Sequence, residues 1–207
     1  YFAKNIDLFH EKGVYLPINN FKTINLCLDK VALNEKLVEL NYHPPKSIRI
    51  SFDKDLPEID WYPVVLKPTG SSGGSENVFI AQNQNELTNL MNYLNGAYKN
   101  KSFILQEYIG KSDSEYTVGI LHDSEGQFVD SIAMKRDLSQ SISIRSSIKN
   151  YSDKPELGEK LIVSSGVSQG MIGKFPDITS QCRDIAESIC SSGPLNIQCR
   201  VVENRVK

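Results

Sequence analysis

The residues best suited to chemistry fall in a few short stretches. Gly70-Ser71-Ser72-Gly73-Gly74-Ser75 is a glycine-serine run between two apolar segments. Glycine has no Cβ to hold an anion away, so such a loop can bring backbone N–H groups against phosphate. A flexible linker has the same composition. The spacing is neither the GxxxxGK[ST] of a P-loop nor the GxGxxG of a dinucleotide fold. Lys67 stands just before the loop, where a cation could neutralise a phosphate held there. Gln106-Glu107-Tyr108-Ile109 precedes a short link, Gly110 to Ser114, that leads to Glu115. A crossover of this kind can offer a backbone C=O and N–H to a flat heterocycle, and a nearby carboxylate can accept from a ribose diol. Each glutamate read alone is more often a solvated loop residue. Lys135-Arg136 could bind a carboxylate or phosphate, or be an ordinary exposed basic pair.

The elements that must position these residues follow from periodicity and punctuation. Residues 29–41 read as a helix with Leu33, Leu37 and Leu40 on one face and Asp29 as its cap; His43-Pro44-Pro45 ends it. Residues 62–67 and 77–81 read as strands on either side of the glycine-serine loop. Asn83 and Glu86 form a capping pair for a helix with Leu87, Leu90, Met91 and Leu94 on its apolar face, which Asn95-Gly96 stops. Strands are expected at 102–109, 116–122 and 127–135, the last two joined by the hairpin turn Asp123-Ser124-Glu125-Gly126. Residues 137–168 are serine-rich and weakly periodic, so loops with a broken strand at 142–148 are expected. Pro176-Asp177 opens a helix whose apolar face carries Ile178, Cys182, Ile185, Ala186, Ile189 and Cys190. Gly193-Pro194 ends it, a strand follows over 195–202, and Glu203-Asn204-Arg205 turns a hairpin.

Composition narrows the classes of function. The chain has 207 residues, with Lys plus Arg at 23 and Asp plus Glu at 25, a formal charge of −2. That balance argues against gripping nucleic acid or an anionic membrane as the main task. The 40% apolar content indicates a globular chain with a real core. No run of about 18 apolar residues exists to span a bilayer. Cys27, Cys182, Cys190 and Cys199 form no CxxC pair, so a cytoplasmic, reducing setting is the expectation, with all four as small core residues.

The order of these motifs resembles the ATP-grasp superfamily, above all the ATP-grasp domain of the carbamoyl phosphate synthase large subunit and its stand-alone relatives. The matching text is Leu28-Asp29-Lys30, then Tyr62-Pro63-Val64-Val65-Leu66-Lys67-Pro68, the glycine-serine loop, Gln106-Glu107-Tyr108-Ile109, Glu115-Tyr116-Thr117-Val118 and Gly193-Pro194-Leu195-Asn196-Ile197-Gln198. The resemblance implies an α+β ATP-grasp fold, two lobes clamping a nucleotide. Residues 1–25 would be the tail of a preceding Rossmann-like domain with its linker, 26–109 the N-lobe, and 110–207 the C-lobe. Lys30 and Lys67 would reach the ATP phosphates, and Ser71, Ser72, Gly73, Gly74 and Ser75 would cover them. Glu107, Tyr108 and Ile109 would form the adenine hinge, and Glu115 would hold the ribose. Gln198 would be a Mg²⁺ ligand, with Lys135, Arg136 and Arg200 facing phosphate or substrate in catalytic roles.

The implied activity is a ligase that turns a carboxylate, or bicarbonate, into an acyl phosphate for attack by an amine or other nucleophile. Its partners would be ATP and a small carboxylate; a homodimer is left open. The resemblance also carries a departure. Glu203-Asn204 is adjacent and lacks the Glu-x-Asn spacing of the family's remaining metal ligands, and the text reaches Lys207 without that motif. A fragment without turnover, or a degenerate nucleotide-binding module, is therefore the alternative expectation.

Overall fold

The computed structural model describes residues 1–51, 56–69, 75–98 and 102–207. In chain order, the N-terminal part carries α1 (Ile6–His10), α2 (Phe21–Leu28) and α3 (Lys30–Glu39), then strand β1 (Ser47–Ile50). β2 (Val64–Pro68), β3 (Phe79–Ala81), α4 (Gln84–Ala97) and β4 (Phe103–Glu107) complete the first lobe. The second lobe has β5 (Glu115–His122), β6 (Phe128–Arg136), β7 (Ile144–Lys149), β8 (Lys160–Ser164), β9 (Gly170–Gly173), α5 (Pro176–Ser188), β10 (Pro194–Val202) and β11 (Arg205–Val206).

The described residues form three antiparallel sheets: β1-β4-β2-β3, β11-β10-β5-β6-β9, and the two-stranded β7-β8. The first is covered by α4, whose Leu87 and Leu94 pack with Val64, Leu66, Phe103 and Leu105 in a core closed to solvent. Burying such side chains stabilises the lobe by about 1.5–3 kcal/mol each. The second sheet is covered by α5, with Ile178, Cys182 and Ala186 against Val118, Ile120, Ala133 and Cys199. A smaller cluster of Val65, Tyr108, Leu157 and Leu161 joins the β7–β8 hairpin to the first lobe.

Local chemistry sets the ends of these elements. Asp29 caps α3 by accepting from the N–H groups of Val31 and Ala32. Asn83 caps α4 by accepting from Glu86 N–H at 3.0 Å, while the Glu86 carboxylate reaches back to Gln82 N–H at 2.8 Å. Gly126, at φ 80°, closes the β5–β6 turn, and Glu203 and Asn204, both with positive φ, close the β10–β11 turn.

The structure differs from the expectations in several places. α4 runs through Gly96 to Ala97, because hydrophobic packing along its face outweighs one glycine in the last turn. α3 is anchored chiefly by buried Val31, with Leu33, Leu37 and Leu40 only half-buried. Within 137–168 the broken strand expected at 142–148 is β7, but β8 is a further strand where loop was expected, since Leu161-Ile162-Val163 is a buried apolar run; β9 follows just beyond that stretch. Cys190 is exposed in the left-handed region that follows α5, so it is no core residue; Cys27 is half-buried, and Cys182 and Cys199 are buried. α2 crosses the expected boundary at residue 25, and the segment before it packs on the second lobe. Asn19 Nδ2, ahead of α2, donates to Pro194 O at 2.7 Å, and Thr23 Oγ1, within α2, donates to Ile189 O.

Candidate nucleotide site

Between the lobes lies a cleft of about 410 Å³. Its lining includes Lys30, Lys67, Ser75, Glu107, Tyr108, Ile109, Glu115, Gln198 and Arg200, residues brought together from across the whole chain. Ser71, Ser72, Gly73 and Gly74 lie outside the described residues. Lys135 and Arg136 are not in this cleft wall; with Asp113, Asp137, Gln169 and Met171 they line a separate depression at the end of β6.

Strand alternation explains the floor of the cleft. Side chains on a strand point alternately to opposite faces. Ile197, Cys199 and Val201 join the core beneath α5, so Asn196, Gln198 and Arg200 lie on the other face. Register places Glu115 beside Arg200 and Thr117 beside Gln198.

Glu115 is buried and is the counter-ion of two guanidiniums. Its Oε1 accepts from Arg136 Nη1 at 2.8 Å and Gln198 Nε2 at 2.7 Å, and its Oε2 accepts from Arg200 Nε at 3.2 Å. Arg136 is also buried, and its Nη2 donates to the carbonyls of Ser165 and Val167. It supports Glu115 and the chain beyond β8 instead of facing a phosphate. Arg200 has most of its donors engaged. Nη1 reaches Ile109 O at 3.0 Å and Gly110 O at 3.3 Å, Nη2 reaches Ile162 O at 2.9 Å, and the guanidinium lies 4.6 Å from the Tyr108 ring centroid. The expected substrate-facing roles of Lys135, Arg136 and Arg200 therefore meet a different geometry: two structural guanidiniums and a lysine outside the cleft wall.

At the hinge, Glu107 N–H donates to Lys46 O and Tyr108 N–H to Pro63 O. Ile109 N–H has no hydrogen-bond partner among the described residues. Sequence reasoning missed the opposite wall, Ile162, Val163 and Ser164 on β8, which closes on Val65 and Val78 of the first lobe. The buried run Leu161-Ile162-Val163 was its available signal. Tyr108 holds that wall: its hydroxyl donates to Ile162 O and accepts from Ile162 N–H at 2.8 Å.

Two lysines mark the other end of the cleft. Lys67 Nζ donates to Gln106 Oε1 at 2.6 Å, and Lys30 Nζ donates to Pro68 O at 3.3 Å. Burial pushes the Lys67 ammonium down to about 8; Arg200 and Lys30 push the same way, and Glu115 opposes them. Lys30 is also lowered by burial. An anion in this cleft would favour the charged form of both lysines, which burial disfavours.

Gln198 donates its amide N–H groups to Glu115 and Ser164, which leaves Oε1 as its acceptor end. Among the described residues no group of three or more His, Cys, Asp or Glu side chains could hold a metal. One amide oxygen does not make a Mg²⁺ site by itself.

No protein-family model and no curated protein matches the sequence. Solved structures do match its fold. D-alanine–D-alanine ligase from Bacillus anthracis, complexed with ATP, is 14% identical with a TM-score of 0.62, over 97% of this chain and 59% of that one. L-amino acid ligase from Bacillus licheniformis is 14% identical, TM-score 0.58, over 98% and 43%. Phosphoribosylglycinamide synthetase from Anaerococcus prevotii is 12% identical, TM-score 0.56, over 99% and 46%. The chain thus spans about half the length of the structures it resembles. No helix among the described residues is long and apolar enough to cross a membrane.

Proposed function

On the ATP-grasp fold that this chain shares with those ligases, we propose that the protein belongs to an ATP-dependent ligase. It would activate a carboxylate, or bicarbonate, as an acyl phosphate for attack by an amine or another nucleophile, in the manner of the carbamoyl phosphate synthase large subunit. The observation that carries this reading is the meeting of Lys67, the unpaired N–H of Ile109 and Glu115 in one cleft.

Adenine would sit between Val65 and Ile162, with its amino group on the Glu107 carbonyl and a ring nitrogen on Ile109 N–H. Glu115 Oε2, which has a single protein donor, retains a lone pair for a ribose hydroxyl. Lys30 and Lys67 would take the phosphates. A carboxylate oxygen attacks the γ-phosphorus, ADP leaves, and the nucleophile then displaces phosphate from the acyl carbon. This chemistry needs positioning and cations, and no protein nucleophile. When bound, Mg²⁺ would neutralise phosphate charge, with Gln198 Oε1 as one ligand and the remainder from nucleotide and water.

Thermal shift or calorimetry with Mg-ATP and AMP tests the site. Stabilisation by both is expected, larger for ATP; a folded sample indifferent to millimolar nucleotide would overturn the reading. A second reading, a nucleotide-binding module without turnover, is favoured by the lack, among the described residues, of any group of three or more His, Cys, Asp or Glu side chains that could hold a metal. Phosphate release from ATP in the presence of carboxylates and amines separates the two.

A further inference from the structure

Resting on the adenine hinge proposed above, we infer that Arg200 sets base selectivity by occupying the Ile109 carbonyl, so that the hinge offers a purine the Ile109 N–H without a free C=O beside it. A purine's pairing edge is read by the order of donors and acceptors. Adenine presents an amino donor next to the N1 acceptor; guanine presents the O6 acceptor next to an N1–H donor. Glu107 C=O followed by Ile109 N–H complements adenine. Ile109 N–H followed by Ile109 C=O would complement guanine.

The second arrangement is the one that Arg200 fills. Its Nη1 donates to Ile109 O at 3.0 Å and Gly110 O at 3.3 Å. The guanidinium cannot easily swing aside. Nη2 is held by Ile162 O at 2.9 Å, Nε by Glu115 Oε2 at 3.2 Å, and the group lies over the Tyr108 ring. The side chain is 12% exposed, so water has little room to replace it. Any lone pair left on Ile109 O sits beside a fixed positive charge, which repels an approaching N–H donor. A site that leaves a buried polar group of the wrong ligand unpaired discriminates strongly against it.

The test compares ATP, GTP and ITP by competition binding. Inosine carries the same O6 and N1–H edge as guanine and lacks only the 2-amino group. The unsubstituted protein should prefer ATP to both by about tenfold or more, the scale of one hydrogen bond lost or left unmade. Arg200→Met should lower that preference about tenfold, towards parity. Arg200→Lys keeps the charge but cannot span Ile109 O and Ile162 O together, and it should shift the preference in the same direction if the Met variant does not fold. An unchanged ATP-to-GTP ratio in either folded variant would overturn the inference, as would ITP bound as well as ATP by the unsubstituted protein. Failure of the unsubstituted protein to bind any nucleotide would instead overturn the hinge reading on which it rests.

Discussion

Lys67 joins pH to ligand affinity. Its ammonium is lowered from the ordinary 10.5 to about 8, first by burial and then by Arg200 and Lys30. The unfolded chain therefore holds this proton more tightly than the folded one. The resulting penalty on folding is full below about pH 8 and is relieved as pH rises from there towards 10.5. A triphosphate beside Lys67 favours the charged form, so ATP binding should take up a proton near pH 8, and its affinity should fall as pH rises through that value. Calorimetry in buffers of different ionisation enthalpy measures the uptake; no uptake would remove Lys67 from the phosphate site. Lys67→Ala should weaken ATP about ten- to a hundredfold, corresponding to roughly 1.5–3 kcal/mol for a charge-assisted contact, and AMP much less. Glu115 is a harder residue to test. It is the counter-ion of Arg136 and Arg200, so Glu115→Ala leaves a buried guanidinium uncompensated and should cost about 3–5 kcal/mol of stability. Urea unfolding must be measured before any loss of affinity, expected alike for ATP and AMP, is assigned to the ribose.

At the scale of elements, the β7–β8 hairpin belongs with the first lobe as much as with the second. Gln82 donates to Lys149 O at 3.0 Å and accepts from Tyr151 N–H at 2.7 Å, so both ends of one buried amide are spent on the hairpin. Gln82→Leu removes both bonds and strands a carbonyl and an N–H. We expect a loss of about 1–3 kcal/mol and faster amide exchange at Ile162, in the wall of the cleft; unchanged exchange there would mean that Tyr108 alone positions the strand. Gly193 shows why a motif residue is what it is. Its φ is +92°, and a Cβ there would meet the Ile18 backbone at 3.1 Å. Gly193→Ala should therefore lower stability by about 1–3 kcal/mol, measured by urea unfolding, and retention of full stability would show that Ile18 can retreat.

For the whole molecule, the cleft is the joint between two separately cored lobes, one under α4 and one under α5. A ligand that touches both lobes stabilises the closed arrangement through its binding free energy. At a hundredfold excess over its dissociation constant, ATP should add about 2.7 kcal/mol to unfolding. Stabilisation confined to one lobe, seen as two separated transitions where one existed before, would place the nucleotide on that lobe alone.

Much of this arrangement was legible in the residues. Caps at Asp29 and Asn83, the period-two pattern of β10 and the apolar stripe of α5 depend on neighbours close in sequence, and the structure bears each out, save for Cys190 at the end of the stripe. The motif order also led to the fold. Tertiary contacts decided the rest. Arg136 and Arg200 looked like substrate-facing cations because a linear reading cannot see that Glu115, 21 and 85 positions away, folds between them. Lys135 and Arg136 are adjacent, yet strand alternation separates their faces. The β8 wall of the cleft was hidden because β8 pairs with β7 across a polar loop, and its short apolar run lacks meaning until Tyr108 and Val65 pack on it. Periodicity reports which side of an element is buried; only packing determines what lies on that side, and here it places Arg136 and Arg200 on the Glu115 carboxylate beside the cleft.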